Sequence, residues 1–415
     1  MTSSELPNNN WSLTQKLTFR FIFTYILLYI LLMFAAVFLE SPLIWFAENI
    51  LHWGSHLKVQ STGSGDQTYN YVLIGFNLFL VLIIVPIWSY FDRRRNSYST
   101  LLQWFLLFIR SVLFVAMFLY GSVKLIKGQF PDPSLYRLLQ PIGELSPMGL
   151  AWTFMGYSFI YNIFIGFAEV LGALLLMFRK TVTLGSLVII GVMSNVAIMN
   201  FTYDIPVKLF SLHLLLMATI LLSADLNRLI KFFIRNKATE SVDYYVFFKN
   251  LTLRKLGSAL RGFVVFVVLF ATTIQIFVQF NAHDQLKEKS EFYGIWEVEK
   301  FESNGAVLPP LTTDYYRWEY FIVDSKRIAI VKTMTGNIKS LNFDLVPDQN
   351  KITFSYNIKS TSYPFTYAFT NSSSLMMNGV LQGDTLTIQL NRKPLSDFHL
   401  INRKFRWISE RPFNR

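Results

Sequence analysis

The run NVAIMNFTYDIPVKLFSLH, residues 195–213, ends one long apolar segment, turns tightly and starts another. Asn195, Asn200, Asp204, Lys208 and His213 stand in it beside Leu, Ile, Val and Phe. Ionisable groups close to hydrocarbon cost several kcal/mol each, about 2.5–3.5 kcal/mol at a helix centre and less near an end. A membrane protein carries that cost when the groups pair with one another or do chemistry. The turn is therefore expected to form one wall of a polar site in the outer half of a membrane bundle.

Composition supports this reading. Of 415 residues, 52% are hydrophobic and 15% charged, with 40 Phe and a mean hydropathy of +0.36. A soluble domain carries about 25% charged residues. Cysteine is absent, which excludes thiol redox catalysis, disulfides and cysteinyl iron–sulfur clusters within this chain. The formal charge of +12 does not point to nucleic acid, because the basic residues cluster between apolar spans, where anionic lipid headgroups account for them.

Seven runs are long enough to cross hydrocarbon about 30 Å thick: residues 17–39, 71–91, 101–125, 155–178, 182–199, 205–224 and 256–280. Backbone groups in lipid must be satisfied internally, so each is expected to be helical. The first run is too long for a signal peptide and lacks a basic leader, so it reads as a retained span. Arg93, Arg94 and Arg95 follow the second run, Arg179 and Lys180 the fourth, and a basic set over residues 228–261 the sixth. These loops share one side, which the positive-inside rule makes cytoplasmic. The N-terminus is then inside and the C-terminus outside. Lys124 and Lys127 fall on the outer side and require another explanation.

Beyond residue 280 the chain becomes polar and alternates with period two between turn signals, as at Asp348-Gln-Asn and Gly383-Asp384. That pattern predicts an antiparallel barrel or sandwich of about eight strands. Gly294-Ile-Trp296 near its start, with Arg403 and Arg406 on a last strand, resembles the small lipocalin-like barrel in which an Arg covers the Trp ring. The expected layout is an N-terminal two-span extension with a long outer loop (1–100), a four-helix core (101–235), a linker with the last transmembrane helix (236–285) and a β domain (286–415).

Several residues qualify for chemistry. Tyr120 and Lys124 share a helix face. Ser158, Asn162, Gly166 and Glu169 form one stripe, with Glu169 near mid-bilayer. An ionised Glu169 needs a cation, and Arg110 and His213 are the nearest by depth; the alternative is a neutral carboxyl acting as packing glue. Asp204 and Lys208, four apart, are either a substrate-holding acid–base pair or a first-turn ion pair. His213 is either a site residue or a buried histidine satisfied by Asn195 at similar depth. His52 and His56 are four apart on an expected interfacial helix over residues 45–57, a metal-compatible spacing with no third ligand. Gly63-Ser-Gly65-Asp66 lacks the Lys-Ser/Thr of a phosphate loop and reads as a turn.

On Tyr120-Gly-Ser-Val-Lys124-Leu, Gly166-Phe-Ala-Glu169-Val-Leu-Gly172, Gly185, Gly191 and the 200–213 stretch, residues 101–233 resemble the DoxX/DoxD-like membrane family. The resemblance implies a compact four-helix core. Its namesake is the small subunit of a thiosulfate:quinone oxidoreductase, and the bundle is also similar to that of vitamin K-dependent carboxylase-like proteins. The absence of Cys, the two extra spans and the β domain depart from the minimal family unit. The Phe-rich spans and layout resemble bacterial members of the Bacteroidota kind, which implies an inner-membrane protein with its β domain in a periplasm.

Two functions from different classes follow as expectations. One is a quinone-linked oxidoreductase or its membrane subunit. There Glu169, Asp204, Lys208 and His213 act on protons and substrate, and Tyr120, Lys124, Asn195 and Asn200 line the quinone site. The other is a non-enzymatic scaffold or assembly factor whose β domain binds lipid or an envelope partner. Quinone is the one cofactor the reading names; a redox partner is implied by the first function, and nucleic acid by neither.

Overall fold

The structure is a computed structural model and describes residues 10–53, 64–239, 251–287, 290–325, 327–356, 361–403 and 406–414. It falls into two compact units, Met1–Ile126 with Ile160–Thr272, and Lys127–Phe159 with Thr273–Arg415.

The first unit is helical. Its elements are α1 (Leu13–Ala35), α2 (Glu40–Asn49), α3 (Thr68–Phe91) and α4 (Ser99–Leu125). After α5 (Pro147–Tyr157), which belongs to the second unit, come α6 (Phe159–Met177), α7 (Val182–Thr202), α8 (Lys208–Ser223) and the short α9 (Leu226–Leu229). Among the described residues five helices are long and apolar enough to cross a membrane: α1, α3, α4, α6, and α7 with its preceding turn. The sixth expected run is a bent pair, α8 with the segment Leu226–Ile234, turned by 69° at the break. The seventh lies in α10 (Leu251–Lys287), whose apolar described portion is the shorter Gly262–Val278.

Phe34, Phe91, Ile160, Phe164 and Phe266 are more than half exposed around these helices. With helices this long and apolar, and large apolar side chains turned outward on them, this unit is embedded in a membrane. Its core interleaves Phe19 and Ile26 of α1 with Ile109, Leu113 and Met117 of α4, Ala173 of α6, Met193 of α7 and Met217 of α8.

One end of this unit also buries a cation that the sequence reading missed. Arg20 is 2% exposed. Its Nε and Nη2 donate to the Tyr98 hydroxyl (2.9 and 2.6 Å), Nη1 to Ser89 Oγ (2.7 Å) and Nη2 to the Asp92 carbonyl (3.2 Å). Tyr98 in turn donates to the Asp92 carboxylate at 2.7 Å. A buried guanidinium is tolerable only when its donors are used in this way, and here they tie α1 to the α3–α4 turn.

The second unit contains a closed antiparallel barrel. Its strands are β1 (Gly294–Ser303), β2 (Ala306–Val307), β3 (Trp318–Val323), β4 (Ile328–Thr333), β5 (Ile338–Val346), β6 (Lys351–Ser355), β7 (Tyr363–Asn371), β8 (Ser374–Leu381) and β9 (Asp384–Lys393). Each long strand pairs with its sequence neighbour, and β1 closes on β9 from Ile295↔Lys393 to Ser303↔Leu386. Eight strands make the barrel, and the two-residue β2 hangs on β1. Period-two burial selects the interior: Ala329, Val331 and Thr333 on β4, and Leu341 and Phe343 on β5, point inward. Trp296, Phe301, Phe321, Phe343, Phe354 and Phe365 fill the interior as one core. A cavity of about 20 Å³ beside Tyr316, Trp318 and Tyr356 has room for roughly one water.

An Arg does cover the first-strand Trp, but it is Arg392 on β9, with its guanidinium 4.4 Å from the Trp296 ring centre. The expected Arg403 and Arg406 lie beyond the last strand, which ends at Lys393, and Arg403 stacks on Phe413 instead. The segment after α4 also departs from the expected layout, because residues 127–159 cluster with the barrel and not with the four-helix core. Leu135 is buried against Ile295 and Ile322. Its backbone N–H donates to the Asp324 carboxylate at 2.8 Å, and burial pushes that carboxyl above the usual carboxylate range.

Candidate functional site

The densest polar contact in the helical unit lies between α4 and α6. A Cβ on Gly121 would sit 2.8 Å from the Gly166 carbonyl oxygen, and a Cβ on Gly166 would sit 2.8 Å from the Gly121 carbonyl oxygen. Two glycines let the backbones approach this closely. The room they leave is taken by the stems of Lys124, whose Cβ is 3.0 Å from the Gly166 position, and of Glu169, whose Cβ is 3.0 Å from the Gly121 position. The side chains then meet. Lys124 Nζ donates to both Glu169 oxygens, at 2.8 and 2.7 Å. Their side chains are 7% and 3% exposed.

The cation for Glu169 is therefore Lys124, not Arg110 or His213. Arg110 donates to the Met177 carbonyl at the far end of α6. This pairing also explains a lysine that the positive-inside count left over. Lys127, the other, pairs with Asp132 and donates to the Gly156 carbonyl at 2.8 Å. Ser158 separates α5 from α6 and drops out of the expected stripe, whereas Asn162, Gly166 and Glu169 remain buried on one face of α6.

Tyr120 stands beside the pair, with Lys124 Nζ 5.8 Å from its ring centre. It is 47% exposed, so the buried pair has a half-open edge. Its ring packs on Phe210 of α8 at 5.8 Å.

A second polar group lies where Tyr29 of α1 meets His213 of α8. The two rings stack at 3.7 Å, 4° from parallel. His213 Nδ1 lies 2.7 Å from the Leu209 carbonyl, which can only accept, so Nδ1 carries the proton. Nε2 is then the acceptor for the Tyr25 hydroxyl, 2.8 Å away. Asn77, 1% exposed, donates to the Tyr25 carbonyl at 3.2 Å, and its Oδ1 has no hydrogen-bond partner among the described residues. Asn195, the expected partner of His213, lies on the exposed face of α7.

The 195–213 turn itself is held as a latch. Asp204 adopts a left-handed conformation (φ 50°) after α7, and its side chain is 84% exposed. Lys208 Nζ reaches Asp204 at 3.0 Å and Asp66 at 3.8 Å. The stronger hold is Asp66, whose carboxylate accepts from the backbone N–H of Lys208 (2.8 Å) and of Leu209 (3.0 Å). It supplies the N-terminal cap that α8 does not make for itself. Asn200 Nδ2 donates to Ser211 Oγ at 3.0 Å and ties α7 to α8. Asp204, Lys208 and Asn200 thus have partners apart from Glu169 and His213. The Gly-Asp turn near residue 66 was legible as a turn. Its docking on α8, a long-range contact, was not.

The segment between α1 and α3 also differs from the reading. Its helix, α2, ends at Asn49, and Trp53 N–H bonds back to the Ala47 carbonyl at 2.9 Å. That closure puts His52 in a left-handed turn (φ 53°) outside the helix. His56 lies outside the described residues, so the metal-compatible pair is not defined by the structure. Among the described residues no group of three or more His, Cys, Asp and Glu gathers for a metal.

No family model matches the chain, and no solved structure matches it. The chain is 35% identical over 125 residues to the uncharacterized protein YwoB of Bacillus subtilis (strain 168), a match covering 28% of this chain and 73% of that protein. At that identity and over nearly three quarters of YwoB, this chain belongs to the same family as YwoB.

Proposed function

We propose that the helical unit is a DoxX/DoxD-like inner-membrane module that handles protons for a quinone-type, lipid-borne substrate, as a quinone-linked oxidoreductase or its membrane subunit. One observation carries this reading: the buried Lys124–Glu169 pair beside half-exposed Tyr120. A buried ion pair is a weak source of stability, because apolar residues of similar volume would serve as well. Within membrane-spanning helices such pairs mark ion or substrate paths. Tyr120 offers an edge at which a flat ring would enter from the lipid. Lys124 would donate to a quinone carbonyl oxygen while Glu169 exchanges a proton with it. Full reduction takes two electrons from a redox partner and two protons. The Tyr29–His213–Tyr25 group is suited to relay the second.

Asp204 and Lys208 move from chemistry to holding the α7–α8 turn. The barrel, similar to the small lipocalin-like barrels in its Trp296–Arg392 contact, would stand in the periplasm. Its filled interior favours a binding role for its surface, which is the form the scaffold alternative would take.

The test is purification in mild detergent, lipid extraction and mass spectrometry. Quinone co-purifies with the native chain and is lost from Glu169→Gln. Absence of quinone from the native protein, with no spectral response to a quinone analogue, refutes the reading.

A further inference from the structure

We infer that the second unit carries its own lipid-docking loop, formed by the C-terminal segment and the outer face of α5, and that it rests on anionic headgroups.

The loop is tied at its base. The Tyr157 hydroxyl donates to the Arg403 carbonyl at 3.2 Å. Phe413 folds back on the same residue, with the Arg403 guanidinium 4.3 Å from its ring centre and the His399 ring 5.1 Å away. Between these ties the chain presents Trp407, 92% exposed, and Ile408, 77% exposed. Exposed Arg406 and Arg411 flank them, with Glu410 the one acidic neighbour. On α5, Leu150, Phe154 and Tyr157 fall at helical spacing and are 40%, 61% and 47% exposed. An apolar tip with Trp among arginines suits the headgroup layer, where the indole spans the polar boundary and the cations meet lipid phosphate.

Chain continuity says what covers this surface. Tyr157 is two residues before Phe159, where the membrane-spanning α6 begins. A residue so placed lies at the membrane boundary, and its bond to Arg403 brings the loop there. The barrel agrees. The chain enters it from α10 at Gly294, the 127–159 segment packs against Ile295 and Ile322, and β9 ends beside Ile295 at Lys393. These all mark one end of the barrel. Tyr315 precedes β3, whose first residue, Trp318, packs near Phe301 toward the opposite end of β1, and is 73% exposed.

The absence of Cys makes the test clean. The full chain carrying Ile408→Cys or Phe154→Cys, with Tyr315→Cys as control, is nitroxide-labelled and placed in nanodiscs of zwitterionic lipid with or without phosphatidylglycerol. Collision with oxygen and with a water-soluble nickel chelate is read by power saturation. Positions 408 and 154 are expected to be severalfold better protected from nickel than 315 in the anionic discs. Arg406→Gln with Arg411→Gln is expected to reduce that protection at 408. Equal nickel collision at all three positions overturns the inference and makes another protein the occupant of the surface. Protection at 408 that ignores both the anionic lipid and the arginine changes also overturns it. Should Ile408→Cys fail to fold, Phe154→Cys gives the same reading.

Discussion

Replacing Lys124 with Met removes the one cation among the described residues that reaches Glu169 between α4 and α6. Both side chains are more than nine-tenths buried, so water does not substitute for the lost partner. Breaking a buried pair from one side costs about 3–5 kcal/mol. Glu169→Leu, which strands Lys124, falls in the same range. The double replacement Lys124→Met with Glu169→Leu leaves no stranded charge and matches the volume, and is expected to return to within about 1 kcal/mol of the native chain. The cycle therefore carries a coupling of several kcal/mol. Unfolding in mixed micelles, followed by tryptophan fluorescence, measures it. Quinone content of the same four proteins separates fold from function, because the double variant should be stable yet empty. Additive single effects would refute the geometry of the pair. A stable double variant that retains its quinone would refute the pair's role in binding.

Three further outcomes follow from the contacts. Asp66→Ala exposes the first N–H groups of α8 and is expected to cost about 1–2 kcal/mol in the same unfolding assay; Asp204→Asn, which keeps a residue suited to the left-handed backbone and removes only a solvent-exposed charge, should be nearly silent. Gly166→Ala puts a Cβ 2.8 Å from the Gly121 carbonyl and 3.0 Å from Lys124 Cβ, so α4 and α6 must separate. A loss of about 1–3 kcal/mol should accompany loss of bound quinone, and unchanged stability would show that the crossing is looser than described. In the barrel, burial and the Asp384 carboxylate push the Tyr316 hydroxyl up to about 12, and burial and the Glu291 carboxylate do the same for Tyr367. Both groups are raised, so their contribution is fully present below about pH 10, the ordinary tyrosine value, and is lost as pH rises toward 12. Barrel unfolding followed by circular dichroism should therefore steepen between those values, and Tyr316→Phe with Tyr367→Phe should flatten the slope.

The two-part architecture was legible because it follows from periodicity. Long, mostly apolar runs over 71–91 and 101–125 read as helices in lipid, and alternation along β4 and β5 reads as half-buried strands. The stripe Asn162, Gly166, Glu169 was readable for the same reason, being local to one helix. Where period and depth were the wrong guide, the reading failed. Arg110 and His213 were nearest to Glu169 by depth, yet neither reaches it, since depth says nothing of how each helix is rotated about its axis. The Arg over Trp296 was sought on a strand beyond the true last one, because a strand's end depends on the pairing of β9 with β1.

Residue order along this chain determined which segments are apolar, which alternate, and which positions carry charge into a helix. Those properties depend on neighbours a few residues apart. The partners of those charges were decided by the fold alone. Lys124 meets Glu169 because two glycines let distant backbones touch, and Asp66 caps α8 because a loop returns across more than a hundred residues. Coulomb attraction and hydrogen bonding act over a few ångströms of space, whatever the separation in sequence.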